Sequence, residues 1–309
     1  MFLFQRDRKY SSIINIKTIP MLRSEKDVSD HSEIRCGFVF AATGDQYNIL
    51  ARRAARSLRR IHADAAIDLY SDQEIIDPIF EKVHAVSKDT TRPKMEALRR
   101  SRFDRTIYLD CDIMVVADIQ DLFRALDKYE FMAAHARGSN MALSRRPFTK
   151  HIPVSFPQVN TGVIAIRKSE STSDLMRKWD DEFSQSGDKL DQPYLRKLLY
   201  DNDYNLGILP PEYNLMMLET IQVWTSKTNA PRVLHCPALH YRDDPGDPKK
   251  PFEYDEILSP ELTTHLKQLI ASDFSLGGNP KAKVRKLNSL EETQKKKSIW
   301  RRAISLIGA

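Results

Sequence analysis

Glycine is scarce in this 309-residue chain, with ten residues, about 3% where globular proteins average about 7%. No two of the ten frame a G-x-G-x-x-G turn, and none precedes a Lys-Ser or Lys-Thr pair. A dinucleotide fingerprint and a P-loop are therefore both excluded, and any phosphate bound here is held by something other than a glycine cradle. Cysteine is scarcer still. Cys36, Cys111 and Cys236 are odd in number, far apart and form no C-x-x-C, which argues against a disulfide framework or a zinc finger and implies a reducing, cytoplasmic setting. Long hydrophobic runs are also missing. No stretch approaches the roughly 20 apolar residues of a membrane span. The opening Met1-Phe2-Leu3-Phe4 is cut off by Gln5, Arg6 and Asp7, so a cleaved signal peptide is not expected.

What is present is the composition of a globular protein, 41% hydrophobic and 29% charged, with length enough for one large core. The net charge of +6 is local. Residues 280–309 hold nine Lys/Arg against Glu291 and Glu292, a net +7, so the first 279 residues sum to −1. The basic balance belongs to a tail, says nothing of the body's substrate, and gives no reason to expect nucleic acid as a partner.

From Ile34 short apolar runs alternate with helical periodicity. Strands are predicted at Ile34–Ala42, Ala66–Tyr70, Lys82–Val86 and Thr106–Leu109, with helices at Tyr47–Ile61, Glu74–Phe80 and Lys94–Arg102. Further strands are expected near Phe131 and at Val163–Arg167, Asn205–Leu209 and Arg232–His235. Helices are expected at Glu170–Phe183, Asp191–Tyr200 and Pro260–Ala271. Between them Arg137–Pro157 is a long polar connection. This alternation predicts an α/β fold with a mostly parallel central sheet flanked by helices, in which ligands sit beyond the carboxyl ends of the strands. The expected organisation is an extension over 1–33, one domain over 34–279 and a basic amphipathic tail over 280–309.

The most informative run is Arg105-Thr-Ile-Tyr-Leu-Asp110-Cys-Asp112-Ile-Met-Val-Val. Two carboxylates at the mouth of a buried strand are costly without compensation. A divalent cation resolves the conflict, and hard oxygen ligands suit Mg²⁺ or Mn²⁺ with room left for phosphate oxygens. Thiolates from Cys111 or Cys236 would favour zinc instead.

With these residues in hand, the sequence resembles GT-A-type nucleotide-sugar glycosyltransferases, in particular glycosyltransferase family 8 with its bacterial lipopolysaccharide-type members. The likeness spans roughly residues 34–252. It rests on Val39-Phe-Ala-Ala42 with Tyr47, Arg92-Pro-Lys94, Tyr108-Leu-Asp110-Cys-Asp112, Asn160-Thr-Gly-Val163, Asp191-Gln192, Leu209-Pro-Pro-Glu-Tyr-Asn214 and Val233-Leu-His235. The resemblance implies a GT-A fold and a retaining transfer from a nucleoside-diphosphate sugar, UDP favoured, to the hydroxyl of a glycan or lipid-linked acceptor in cell-envelope synthesis. It implies a metal on Asp110, Asp112 and His235. It also implies donor contacts from Ala42, Thr43, Tyr47, Lys94, Cys111, Asn160, Thr161, Gly162 and Lys250, with Asp191, Gln192 and Asn160 beside the transferred sugar.

Several of these residues have plainer alternatives. Tyr47 could staple its helix to the sheet, Lys94 could belong to a solvated basic face with Arg92, Arg99, Arg100 and Arg102, and Asn160 with Gly162 could be a simple turn. Asp191 is equally an N-cap for the helix that follows, with Pro193 in its first turn. His240 competes with His235. The chain departs from the family pattern at Ala238, where a glycine is usual, and in the acid-bearing insertion around Asp243, Asp244 and Asp247, which leaves Lys249 or Lys250 as the diphosphate lysine. Two other classes stand beside the transferase: a haloacid-dehalogenase-like phosphatase using the D-x-D with Asp243-Asp244, and a catalytically silent protein docking on membranes. For the tail, Ile299, Trp300, Ala303, Ile304 and Ile307 make an apolar stripe edged by Lys and Arg, the pattern of a helix lying on an anionic membrane surface.

Overall fold

A computed structural model describes residues 34–87, 92–138, 140, 141, 148, 150–279 and 281–287. The extension 1–33, the amphipathic stripe beyond 287 and part of the polar connection 137–157 lie outside these residues. No helix among the described residues is long and apolar enough to cross a membrane.

Strand β1 (Cys36–Ala42) is buried over its last six residues. It runs parallel to β2 (Ile67–Ser71) on one side and β4 (Arg105–Leu109) on the other, and β3 (Lys82–Ala85) extends the sheet beyond β2. Beyond β4 come β7 (Val159–Arg167), β6 (Phe131–His135) and β8 (Leu206–Leu209), completing a seven-stranded sheet in the order β3-β2-β1-β4-β7-β6-β8. Only β7 runs against its neighbours. The sheet is thus mostly parallel, as expected. Its strands read as continuous apolar runs because helices cover both faces.

One face carries α1 (Asp45–Ile61), whose Leu50, Ala51, Ala54, Ala55 and Leu58 are fully buried. The other carries α2 (Pro93–Arg100), α4 (Glu170–Ser186) and α5 (Gln192–Asp201), with Trp179 at its centre. A short α3 (Asp121–Ala125) and the C-terminal α6 (Pro260–Ser272) complete the described helices. A separate two-stranded ribbon pairs β5 (Ile113–Val115) antiparallel to β9 (Val233–His235).

The predicted helix over Glu74–Phe80 does not form. Ile75, Ile79 and Phe80 reach the core without a helix, while Ile76 between them is 92% exposed. Asp77 instead accepts from Arg52 and Arg56 of α1, at 2.6 and 2.8 Å, and the segment lies along that helix. The tail also begins later than the charge pattern indicated. Val284 is buried in the core, Ser226 N–H donates to the Val284 carbonyl and Leu287 N–H to that of Gln222, so residues 281–287 belong to the body.

The insertion around Asp243–Phe252 is held by one side chain. Arg53 of α1 is 5% exposed. Its guanidinium donates to the carbonyls of Pro245, Lys250 and Pro251, and to both Glu256 oxygens at 2.7 and 3.0 Å. Burial would raise the Glu256 pKa, but the Arg53 hydrogen bonds outweigh it and hold the carboxyl low. The stability this pair supplies is present at neutral pH and is lost as pH falls through the carboxylate range. Arg53→Met should lose about 3 kcal/mol, the low end for breaking a buried pair, because Arg242 still partners Glu256 at 3.3 Å. Urea denaturation measures this; a loss near zero would mean the clamp carries no net stability.

Candidate active site

Asp110 follows the last residue of β4 and Asp112 precedes the first of β5. The β5–β9 ribbon registers Ile113 opposite His235, and Cys236 N–H donates to the Asp112 carbonyl at 2.9 Å. That pairing brings the histidine to the acidic motif. Ligand atoms of Asp110, Asp112 and His235 lie within 4.8 Å of one another, the one such group of three among the described residues.

Asp112 and His235 are buried, and their Oδ2 and Nε2 are 3.2 Å apart. His240 Nε2 reaches the same oxygen at 3.2 Å, so the rival histidine sits beside the first rather than replacing it. Asp112 Oδ1 is buried with no hydrogen-bond partner. Burial would raise the Asp112 pKa, but the two imidazoles outweigh it and hold the carboxyl well below its ordinary range. Asp112 is an anion with one oxygen unspent.

The tautomer of His235 follows from its support. Gly162 N–H must donate, so the Asn160 atom it meets at 2.9 Å is the side-chain oxygen. That oxygen also receives Asn214 Nδ2 at 2.7 Å, which leaves the Asn214 oxygen facing His235 Nδ1 at 2.7 Å. Nδ1 therefore carries a proton and Nε2 is turned toward the carboxylates; burial would lower the His235 pKa, but Asp112 outweighs it and raises it. This relay, common behind metal-bound histidines, and the unspent Asp112 oxygen both fit a hard divalent cation. Cys111 is not among the grouped ligand atoms. Burial pushes its thiol well above the ordinary value, so it remains neutral.

Asn160-Thr-Gly-Val163 is not a turn before the strand, as its residue types suggested, but lies within β7. The register jumps there from Ala133–Ile164 to Ala134–Asn160, a bulge of the kind often found beside active sites. It leaves the Thr161 carbonyl to accept from Lys94 Nζ at 3.2 Å. Gly162 permits the closest contact in the site, since a Cβ there would lie 2.3 Å from His235 Cε1.

Lys94 is not on a solvated face. Its side chain is 12% exposed, and Nζ sits 3.1 Å from both Asp110 Oδ1 and Thr161 Oγ1. Burial would lower its pKa, but Asp110 and then Asp191 outweigh it and keep the ammonium charged. Tyr108 hydroxyl donates to Asp110 Oδ1 at 2.8 Å. Asp191 is buried at the start of α5, yet its side chain makes no capping hydrogen bond and its Oδ2 has no partner. The capping role is therefore corrected. Gln192 meets Gln158 at 3.5 Å.

Ala42, Thr43, Tyr47, Arg92, Lys94, Asp110, Cys111 and His240 line a cavity of about 290 Å³ beside the cluster. Tyr47 is 41% exposed and sets its edge against the His240 ring, so it lies open rather than stapled. Gln46 donates to the His240 and Arg242 carbonyls, fixing the loop that carries that ring. Lys250 is exposed and outside the lining; its carbonyl is taken by Arg53. Asp243 and Asp244 are likewise exposed, and Asp244 accepts from Gly246 N–H, so neither stands with the D-x-D. A larger cavity, about 650 Å³, lies at the opposite end of β1 around Cys36 and Phe38 and contains none of the cluster.

Residues 105–251, which contain the acidic motif, the β7 bulge and His235, match the family model of nucleotide-diphospho-sugar transferases. That match takes in 147 of the 309 residues, a little under half of the chain. Among solved structures the chain is similar to the galactosyltransferase LgtC in complex with donor and acceptor sugar analogues, at 14% identity over 75% of this chain and 95% of that one, TM-score 0.49. It is similar also to GlyE of Streptococcus pneumoniae TIGR4, at 19% identity over 78% and 64%, TM-score 0.47. Mouse xyloside xylosyltransferase 1 shares 15% identity over 65% and 97%, TM-score 0.44. No curated protein sequence matches the chain.

Sequence reasoning missed Asn214 as the residue that orients His235, along with the Tyr108 hydroxyl and Gln46. In the sequence Asn214 is only the end of Leu209-Pro-Pro-Glu-Tyr-Asn214, and nothing in its spacing ties it to a histidine 21 residues later.

Proposed function

We propose that the chain is a metal-dependent, retaining transferase that moves a sugar from a UDP-sugar to the hydroxyl of a glycan or lipid-linked acceptor in cell-envelope synthesis. The observation that carries this reading is the Asp110–Asp112–His235 group at the strand ends, flanked by the Lys94 cavity. The retaining outcome and the uridine base come from the resemblance to glycosyltransferase family 8. Mn²⁺ or Mg²⁺ held by the three ligands supplies Lewis-acid neutralisation of the departing diphosphate. Lys94 adds a fixed positive charge, already placed before the donor arrives. Tyr47 and Thr43 offer a ring and a backbone edge for the base, and Asp191 and Gln192 border the reacting sugar without either being named nucleophile.

The phosphatase reading loses its second acidic pair, because Asp243 and Asp244 are apart from the D-x-D. In the proposal the enzyme works in the cytoplasm and the basic tail recruits it to an anionic membrane, with 34–287 as the folded body. Truncation after Leu287 is the cut that spares this body.

The test is a thermal-shift panel of nucleotide sugars with and without Mn²⁺. A cognate donor at a hundredfold excess over its dissociation constant adds about 2.7 kcal/mol, and turnover should follow. A well-folded protein that no nucleotide sugar stabilises in either condition would leave only the silent, membrane-docking reading.

Asn214→Ala should weaken Mn²⁺ binding by about 10–100-fold, the usual cost of losing a residue that orients a ligand. His235→Ala should cost more than His240→Ala, because His240 touches Asp112 but not Asp110. Titration calorimetry side by side checks both; a larger loss from His240→Ala would exchange the two roles.

A further inference from the structure

On the Nδ1 side of His235 a second cavity opens, of about 340 Å³, sharing no lining residue with the Lys94 cavity. Asn214 belongs both to its wall and to the support of His235, and Met216, also in the wall, accepts from Asn160 through its sulfur at 3.0 Å. Asn214 thus joins the support of His235 to this second wall.

The apolar side of this second wall is Pro211, Met216, Met217 and Trp224, and Arg137 stands in the same wall as a cation. Met217 is 38% exposed, an apolar side chain left open with no core of its own to join. Thioethers adapt to irregular apolar shapes and an indole gives a broad flat one, whereas a bare sugar needs many polar partners. Here the Asn214 amide is already spent on Asn160 and His235. Charge adds a second constraint. The segment 281–287 is tied to the 222–226 stretch that carries Trp224 through the Ser226–Val284 and Leu287–Gln222 hydrogen bonds. It carries Lys281, Lys283, Arg285 and Lys286, all exposed. Apolar groove and cationic flank together complement an anionic amphiphile.

We infer that this groove is the acceptor subsite and that it takes the apolar part of an anionic, amphiphilic glycoside whose hydroxyl points toward the metal-ligand cluster. The inference rests on the transferase reading and names the acceptor class for it.

The probes are methyl β-D-glucoside, octyl β-D-glucoside and octyl β-D-glucuronide below their micellar concentrations, titrated calorimetrically into full-length protein holding UDP and Mn²⁺. Both octyl compounds should bind at least tenfold tighter than the methyl glucoside, and the glucuronide tighter than the glucoside. Trp224→Ala should abolish the octyl preference and Met217→Ser, at an exposed position that leaves the core untouched, should reduce it severalfold. Lys283→Glu combined with Lys286→Glu should remove only the preference for the glucuronide. UDP affinity should stay constant throughout. Equal binding of octyl and methyl glucoside, or an octyl preference that survives both groove variants, overturns the inference. So does displacement of UDP by the octyl compound, which would place it in the donor cavity. Failure of the protein to bind UDP with Mn²⁺ would sink the transferase reading itself, whatever the groove takes.

Discussion

Asp112→Asn should reduce kcat/KM by about a thousandfold while the protein stays folded. The substitution keeps shape and volume but removes the charge that burial and two imidazoles frame. Neutralising a leaving diphosphate is worth several kcal/mol of transition-state stabilisation, and each 1.36 kcal/mol is tenfold in rate, so losing about 4 kcal/mol gives the thousandfold. In metal-free buffer the effect on stability has two parts of opposite sign. The unpartnered Oδ1 of Asp112 no longer sits buried as an anion, but His235 and His240 lose the carboxylate they share. Initial rates against Mn²⁺ concentration, with circular dichroism as the control for folding, decide the matter. A folded variant with full Mn²⁺-dependent turnover would remove Asp112 from the metal site.

Gly162→Ala should cost nearly as much activity, roughly 100–1,000-fold by the same conversion, although the added group is a methyl and the residue offers no side chain to any ligand. The new Cβ would lie 2.3 Å from His235 Cε1 and 2.5 Å from Nδ1, distances no real contact tolerates. His235 has little freedom to yield, being buried, hydrogen-bonded through Nδ1 to Asn214 and held by its own strand in the β5–β9 ribbon. Either the ring leaves the carboxylates or β7 bends away from β4, where Asp110 N–H donates to the Gly162 carbonyl. Overpacking of this kind also costs about 1–3 kcal/mol of stability. Mn²⁺ affinity and thermal midpoint measured on one preparation would show both losses. A variant with wild-type Mn²⁺ affinity would mean that His235 is not held where the relay puts it.

Most of the sheet could be read from the sequence because buried parallel strands leave unbroken apolar runs such as Phe38-Val-Phe-Ala-Ala42. The antiparallel direction of β7 could not, since a run of apolar residues is the same read either way. The β5–β9 ribbon was visible only as apolar flanks to Asp112 and His235, because three-residue strands are shorter than any period they could display. The misread helix at Glu74–Phe80 shows the reverse failure: short apolar spacing fitted a helix, but two arginines of α1 decided the backbone by binding Asp77.

At the site, Asp110 and Asp112 stand out as charges in an apolar run, while residues that only orient them do not. Asn160 and Gly162 were singled out as neighbours of the sugar. The structure adds a role for each behind His235, the Asn160 oxygen in its support and the missing Gly162 side chain as space for its ring. The burial of Lys94 likewise depended on the β7 bulge, which no local pattern announces.

The ribbon that joins Asp112 to His235 also sets a timetable for synthesis. The acidic motif is synthesised roughly 120 residues before the histidine, and residues so far apart in the chain meet late because a long loop must close first. A chain ended before β9 carries β1, β2 and β4 but only two of the three candidate ligands. The candidate centre is assembled only when the last third of the chain docks, so a nascent or prematurely ended polypeptide carries the two carboxylates without the imidazole that packs against them.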